Sequence, residues 1–215
     1  MEKFFNTLNE VNSLLKDVNF MFFKTVFPNY SYIPSDIDVL IQDKRDLDKV
    51  YKILLDSDFK EIKEVQPFKF RFVKDFQVDL YQKISWGGMS FLDKIKKRTI
   101  KFKGESFPVP SKEDEFLIVL AHLFFTMKKI DKFWIEYLID LLKDLDKDKL
   151  IERTKKFGWE DAVKFFLENR KVKKSNIFLI KKLTFDLIHN KEFYKEIPNY
   201  LKWRFNSFLW KISKR

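Results

Sequence analysis

The hydrophobic pattern of this chain changes period once, and that change limits the folds open to it. As far as about residue 109 the apolar runs alternate with polar residues, as in "FKFRFVK" (68–74) and "FQVDLYQ" (76–82). Alternation turns successive side chains to opposite faces and predicts half-buried strands. "NFMFFK" (19–24) predicts a buried strand, and an eleven-residue loop with Pro28 and Pro34 separates it from the strand "DIDVLI" (36–41). Helical spacing joins them twice: at Phe4, Leu8, Val11, Leu14 and Leu15, and at Leu47, Val50, Tyr51, Leu54 and Leu55 behind a capping Asp43. From Pro110 the spacing is helical to the end. Ser111 and Asp114 stand at capping-box distance, and "KFWIEYLIDLLKDL" and "DKDKLIERTKKFG" follow, the second closed by Gly158. The chain is therefore expected to be α+β, with a sheet-containing half over 1–109 and an all-helical half over 110–215.

At 215 residues, 45% hydrophobic and 35% charged, the composition is that of a globular protein. Cysteine is absent, which excludes disulfides, thiol chemistry and Cys-ligated zinc. The longest apolar run, "FLIVLAHLFF" (116–125), is too short to span a bilayer, and the N-terminus has no signal-peptide core. A soluble, cytoplasmic protein with no membrane partner is expected. Net charge is +11 and unevenly spread: from Leu167 to Arg215 thirteen Lys/Arg face four Asp/Glu, and "KIKKRTIKFK" (94–103) holds six more basic residues. Such clustering suits a polyanion, nucleic acid before an anionic membrane surface, although lysines also solubilise a Phe-rich chain. In "YLKWRFNSFLWKISKR" (200–215), helical spacing leaves Lys202, Arg204, Lys211 and Lys214 outward for phosphates and Trp203 or Trp210 for base stacking. The same pattern equally describes an amphipathic packing helix.

Three aspartates carry the chemistry. Asp36 and Asp38 share a face at the head of "DIDVLI", and Asp79 in "FQVDLYQ" shares a face with Gln77 and Tyr81. If the two strands are neighbours, three carboxylates converge. Like charges at low dielectric repel, and a hard divalent cation held by oxygens is the usual remedy. Two ions about 3.5–4 Å apart clamp the attacking and leaving oxygens of a phosphoryl transfer. On its own, a D-x-D at a strand end is more often simply solvated; the third in-pattern aspartate favours the metal reading. His122 has no second His at i+3 or i+4 and is expected to be a satisfied histidine of an apolar helix. Asp140 caps, pairs with a lysine or faces the site, and "WGG" (86–88) marks a turn.

These motifs resemble the nucleotidyltransferase superfamily that includes DNA polymerase beta, and more closely a bacterial and archaeal branch with the pattern "LKG…DIDLLV…VDLHW". "FFKT" (22–25), "SDIDVLI", "VDLYQKISW" and "FWIEYLIDLLKDL" stand at the matching places, over roughly residues 15 to 165. The resemblance implies a mixed β-sheet with helices on one face, and a Mg2+-dependent enzyme moving a nucleoside monophosphate from an NTP such as ATP to a hydroxyl. It implies that Asp36, Asp38 and Asp79 are catalytic and bind two magnesium ions, with manganese an alternative. Lys24, Thr25 and Ser35, bounding the first loop, would meet the nucleotide. Asp38→Asn would then abolish transfer and relieve like-charge repulsion in the fold. The basic half favours RNA, tRNA included, as acceptor, and a toxin–antitoxin enzyme would look much the same; a partner protein or self-association is left open. One departure is that Lys24-Thr25 stand where the superfamily usually has Gly-Ser. It supports an alternative: a catalytically weak or inactive copy kept as a nucleic-acid-binding module.

Overall fold

The computed structural model of the protein describes residues 1–62, 69–86, 89–127, 130–172, 176–190 and 193. Gly87 and Gly88 of the expected turn, and Lys202, Trp203, Arg204, Trp210, Lys211 and Lys214, lie outside them. The first elements are α1 (Glu2–Leu14), β1 (Phe20–Phe22), β2 (Ile37–Ile41), a 3-10 turn (Lys44–Asp46), α2 (Leu47–Asp56), β3 (Lys60–Ile62), β4 (Lys69–Val73) and β5 (Gln77–Tyr81). They make a five-stranded sheet of order β1-β2-β5-β4-β3. The β2–β5 pair is parallel and the β1–β2, β4–β5 and β3–β4 pairs are antiparallel, so the sheet is mixed, as expected.

One face of this sheet is the core. Phe20 and Phe22 of β1, Ile37, Val39 and Ile41 of β2, Val78 and Leu80 of β5 and Phe72 of β4 all turn to it. They meet Phe4, Leu8 and Val11 of α1 and Leu47, Val50 and Leu54 of α2. The period of two in the strands and of 3.6 in the helices selects the residues that meet. Everything between them on the strands, including Asp38, Asp79, Lys69 and Arg71, is left to the opposite face. Asp43 accepts the Arg45 N–H at 2.9 Å and so caps the 3-10 turn, which delays the start of α2 to Leu47.

The "KIKKRTIKFK" stretch proves to be one arm of a hairpin, β8 (Lys97–Phe102) with β9 (Glu105–Pro110). Its two turn residues, Lys103 and Gly104, both have positive φ (50° and 88°), the signature of a tight two-residue turn whose twist suits paired strands. Phe107 and Val109 of β9 join the core, whereas Lys97 and Lys101 remain exposed. β6 (Ile84–Trp86) and β7 (Met89–Leu92) form a second two-stranded ribbon.

Helices follow: α3 (Lys112–Phe125), α4 (Lys132–Leu142), α5 (Lys147–Lys155), α6 (Glu160–Asn169) and α7 (Asn176–His189). The capping box of α3 is half formed. Ser111 Oγ accepts the Asp114 N–H at 3.2 Å, but the Asp114 carboxylate takes the Lys96 N–H at 2.8 Å. Two compact units result. The first holds α1 to β5, β8, β9 and α3 as far as Val119; the second holds the β6–β7 ribbon from Ser85, the rest of α3 and α4 to α7. In the second, the rings of Phe91, Phe125 and Trp159 pack together, and the Trp159 indole donates to the Phe91 carbonyl at 3.0 Å. Gly158 has φ +68°, and a Cβ there would overlap the base of the Phe185 side chain. No helix among the described residues is long and apolar enough to cross a membrane.

Candidate active site

The parallel pairing of β2 with β5 puts Asp38 directly opposite Asp79. Asp36, just before β2, points the same way. One carboxylate oxygen from each of Asp36, Asp38 and Asp79 lies within 4.8 Å of the others. The three aspartates named from the sequence are thus brought together on the face that the core leaves free. Asp38 and Asp79 are buried, at 2% and 0% exposure, and Asp36 is half-buried.

Cations from the chain itself meet them. Lys24 Nζ lies 2.7 Å from Asp38 Oδ2. Lys69 Nζ lies 2.5 Å from Asp79 Oδ2, and Arg71 donates from Nε to Oδ1 at 2.8 Å and from Nη2 to Oδ2 at 3.1 Å. Gln77 Nε2 bridges Asp79 Oδ1 (3.3 Å) and Asp36 Oδ2 (3.4 Å), and Ser35 Oγ donates to Asp36 Oδ1 at 3.1 Å. Asp38 Oδ1, by contrast, is buried with no hydrogen-bond partner.

These surroundings pull the carboxyls apart in acidity. Burial, then the Asp38 charge, pushes Asp36 up to about 7. Burial also raises Asp38, with Lys24 opposing it. Burial works upward on Asp79 too, yet its hydrogen bonds from Arg71 and the charge of Lys69 hold it below the usual range. The Tyr81 phenol is raised well above its ordinary value by burial and by the Asp38 and Asp79 charges. The oxygen-rich cluster suits a hard cation, and one of its buried carboxylate oxygens, Asp38 Oδ1, has no hydrogen-bond partner.

The loop residues behave differently from one another. Lys24 has φ +53°, the left-handed region that glycine enters freely, at the position where the resembled superfamily has Gly. Thr25 is buried; its hydroxyl accepts the Asp38 N–H at 2.9 Å and lies 3.0 Å from the Phe23 carbonyl, so it ties the loop to β2. Ser35 is exposed at the mouth of the site. Lys69, Arg71 and Gln77 were not singled out from sequence. Their signal is the alternation of "FKFRF" and of "QVD", which puts each on the face opposite the apolar residues. His122 is satisfied, its Nδ1 lying 2.6 Å from Thr126 Oγ1, and Asp140 pairs with Lys143 at 2.6 Å on the surface.

The fold of this chain, a mixed sheet with helices on one face, is similar to that of solved structures. The solution structure of the antibiotic-resistance factor ANT(2'')-Ia aligns with a TM-score of 0.51 at 10% identity, over 76% of this chain and 96% of that one. The lincomycin-bound lincosamide antibiotic adenylyltransferase LnuA aligns at 0.45 and 14%, over 67% and 98%. An antigenic nucleotidyltransferase-like protein from Paracoccidioides brasiliensis aligns at 0.45 and 13%, over 83% and 98%. The likeness to ANT(2'')-Ia shows the nucleotidyltransferase fold. No curated protein sequence matches the chain. The family described as "uncharacterised nucleotidyltransferase" matches residues 33–170, from the end of the first loop through α6. The chain belongs to that family and is an enzyme of the nucleotidyltransferase class.

Proposed function

We propose that the enzyme transfers a nucleoside monophosphate from an NTP to a hydroxyl acceptor, that it depends on magnesium, and that Asp36, Asp38 and Asp79 are its catalytic carboxylates. The observation that carries the reading is their convergence within 4.8 Å, with one buried Asp38 oxygen unmet. A divalent cation held by Asp36 and Asp38 would supply positive charge against the phosphate oxygens. Lys24 and Ser35 border the first loop and would meet the nucleotide phosphates, while Thr25 keeps the loop in place. The acceptor oxygen forms a bond to the α-phosphorus, the bond to the β-phosphate oxygen breaks, and pyrophosphate leaves. The acceptor proton passes to a carboxylate of the triad. Catalysis of this kind is mostly positioning and charge neutralisation.

The charge surplus between Leu167 and Arg215 supports RNA, tRNA included, as the acceptor, with the sheet-bearing half (1–109) doing the chemistry and the helical half (110–215) holding the acceptor in the cytoplasm. The test incubates the purified protein and magnesium with each labelled NTP in turn, and with total RNA, a protein extract or a small-molecule extract. Label should move to RNA and should stay on the nucleotide in Asp38→Asn. Label on a protein or a small molecule would replace the acceptor but keep the reaction. Label that never leaves the nucleotide would leave the inactive, nucleic-acid-binding reading.

A further inference from the structure

The three carboxylates of the site are not equally available. Both oxygens of Asp79 are taken: Oδ1 by Arg71 Nε and Gln77, Oδ2 by Lys69 Nζ at 2.5 Å and Arg71 Nη2 at 3.1 Å. Asp79 is fully buried and Lys69 is 9% exposed. On the other side, Asp36 meets the neutral donors Ser35 and Gln77, and Asp38 keeps Oδ1 unmet while Oδ2 holds Lys24. An ion can therefore be seated at Asp38 Oδ1 and at Asp36, whose donors are neutral, without expelling a cation, and cannot at Asp79.

Charge points the same way. Three carboxylates stand against Lys24, Lys69 and Arg71, so the cluster is neutral by formal charge before any ion enters. One divalent ion adds two positive charges, which the oxygens of a nucleoside triphosphate can answer. A second ion on Asp79 would have to expel a buried ammonium and a two-point guanidinium. Lys69 would then be left buried without its carboxylate, and the half-buried Arg71 would lose its two-point grip.

We propose that the site works with a single divalent ion, seated on Asp36 and Asp38, and that Lys69 and Arg71, fixed by Asp79, take the place of a second. This rests on the metal-dependent reading above and specifies its count. β4 supplies both cations by register: Arg71 lies opposite Asp79 and Lys69 opposite Tyr81, while Phe70 and Phe72 between them turn to the core side. Arg71 cannot lose its proton at any working pH and grips the carboxylate with a planar fork, so its charge is as permanent as an ion's. Asp79 then serves to hold two cations beside the reacting phosphate instead of to ligate metal.

The test counts ions. Mn2+ is titrated into the wild-type chain and the free ion is followed by its EPR signal; one equivalent per chain is expected. Asp38→Asn should bind none, Asp79→Asn should still bind one, and the double variant Lys69→Met, Arg71→Met should bind two because Asp79 is freed. Because Asp79→Asn takes the shared carboxylate from Lys69 and Arg71 and can fail to fold, anomalous diffraction from wild-type crystals with Mn2+ and α,β-methylene-ATP gives a second count. A peak at Asp36 and Asp38 with none at Asp79 is the expected result. Two equivalents in wild type, a peak at Asp79, or loss of the ion in folded Asp79→Asn overturns the single-ion site but leaves metal dependence standing. No Mn2+ bound with or without the nucleotide analogue overturns both.

Discussion

Lys24 holds a backbone conformation that an L-residue adopts only at a cost, of about 1 kcal/mol relative to glycine. What offsets it is the ion pair with Asp38, in which both partners are buried. That pair changes what Asp38→Asn should do. Seen from the sequence, the amide relieves repulsion among like charges and should stabilise the fold. Seen from the structure, it also breaks the buried Lys24–Asp38 ion pair, and breaking a buried pair from one side typically costs roughly 3–5 kcal/mol. Asp38→Asn should therefore unfold at clearly lower urea than wild type. In a Lys24→Met background the same change should cost much less, since the ion pair is already absent. Equal midpoints for wild type and Asp38→Asn would show that the pair contributes nothing. Asp36 and Asp38 are legible as a pair because a period of two is visible within one strand, whereas Asp79 joins them only if the two strands are neighbours. The Lys24 contact is not legible, because it depends on a loop conformation that no periodicity encodes.

At the scale of elements, strands and helices could be read because each needs only local spacing. Their partners needed long-range pairing, and there the reading thinned. In "FKFRFVK" the Phe face announced a core, and the Lys/Arg face looked like ordinary solvent-facing charge. Only the antiparallel register of β4 against β5, with Arg71 opposite Asp79, turns it into part of the site. The β8–β9 hairpin is hard to read in the sequence, because Lys-Gly is a weaker turn signal than Asn-Gly and the six basic residues have the pattern of a charge cluster. Two glycines allow the turn chemistry to be checked. Gly104 has φ +88° with nothing within 4 Å of an added Cβ, so Gly104→Ala should cost about 1 kcal/mol, from backbone strain alone. Gly158→Ala adds a collision with Phe185 to the same kind of strain and should cost more, on the order of 3 kcal/mol. Denaturant midpoints of the two variants should fall in that order; a reversed order would mean that Phe185 moves aside freely.

Over the whole molecule, the basic surplus is smaller as a surface than as a count. Lys182 is fully buried and pairs with Asp186 at 2.6 Å, and Lys181 pairs with Asp161 at 2.5 Å. If the helical half holds RNA, six or so phosphate contacts would weaken binding on the order of a thousandfold between 50 and 200 mM salt. Replacing Lys202, Arg204, Lys211 and Lys214 by Gln should flatten that dependence. Lys182→Gln should leave it unchanged and lower stability, because it removes the buried ion pair with Asp186. Fluorescence anisotropy with labelled RNA over a salt series reads both, and negligible wild-type affinity at low salt would remove RNA from consideration. The same molecule-wide view gives the β2–β5 register a consequence for how the chain folds. These strands are parallel and distant in sequence, so they meet only after a long loop closes, which is a slow and error-prone step. A slip of one residue would turn Asp79 into the apolar layer with Phe72 and Ile37, and Val78 out to water. A charged group in that layer is strongly disfavoured, so a misregistered sheet cannot settle. The acids of the site thus act as an editor of strand pairing, rejecting wrong registers before any substrate is met.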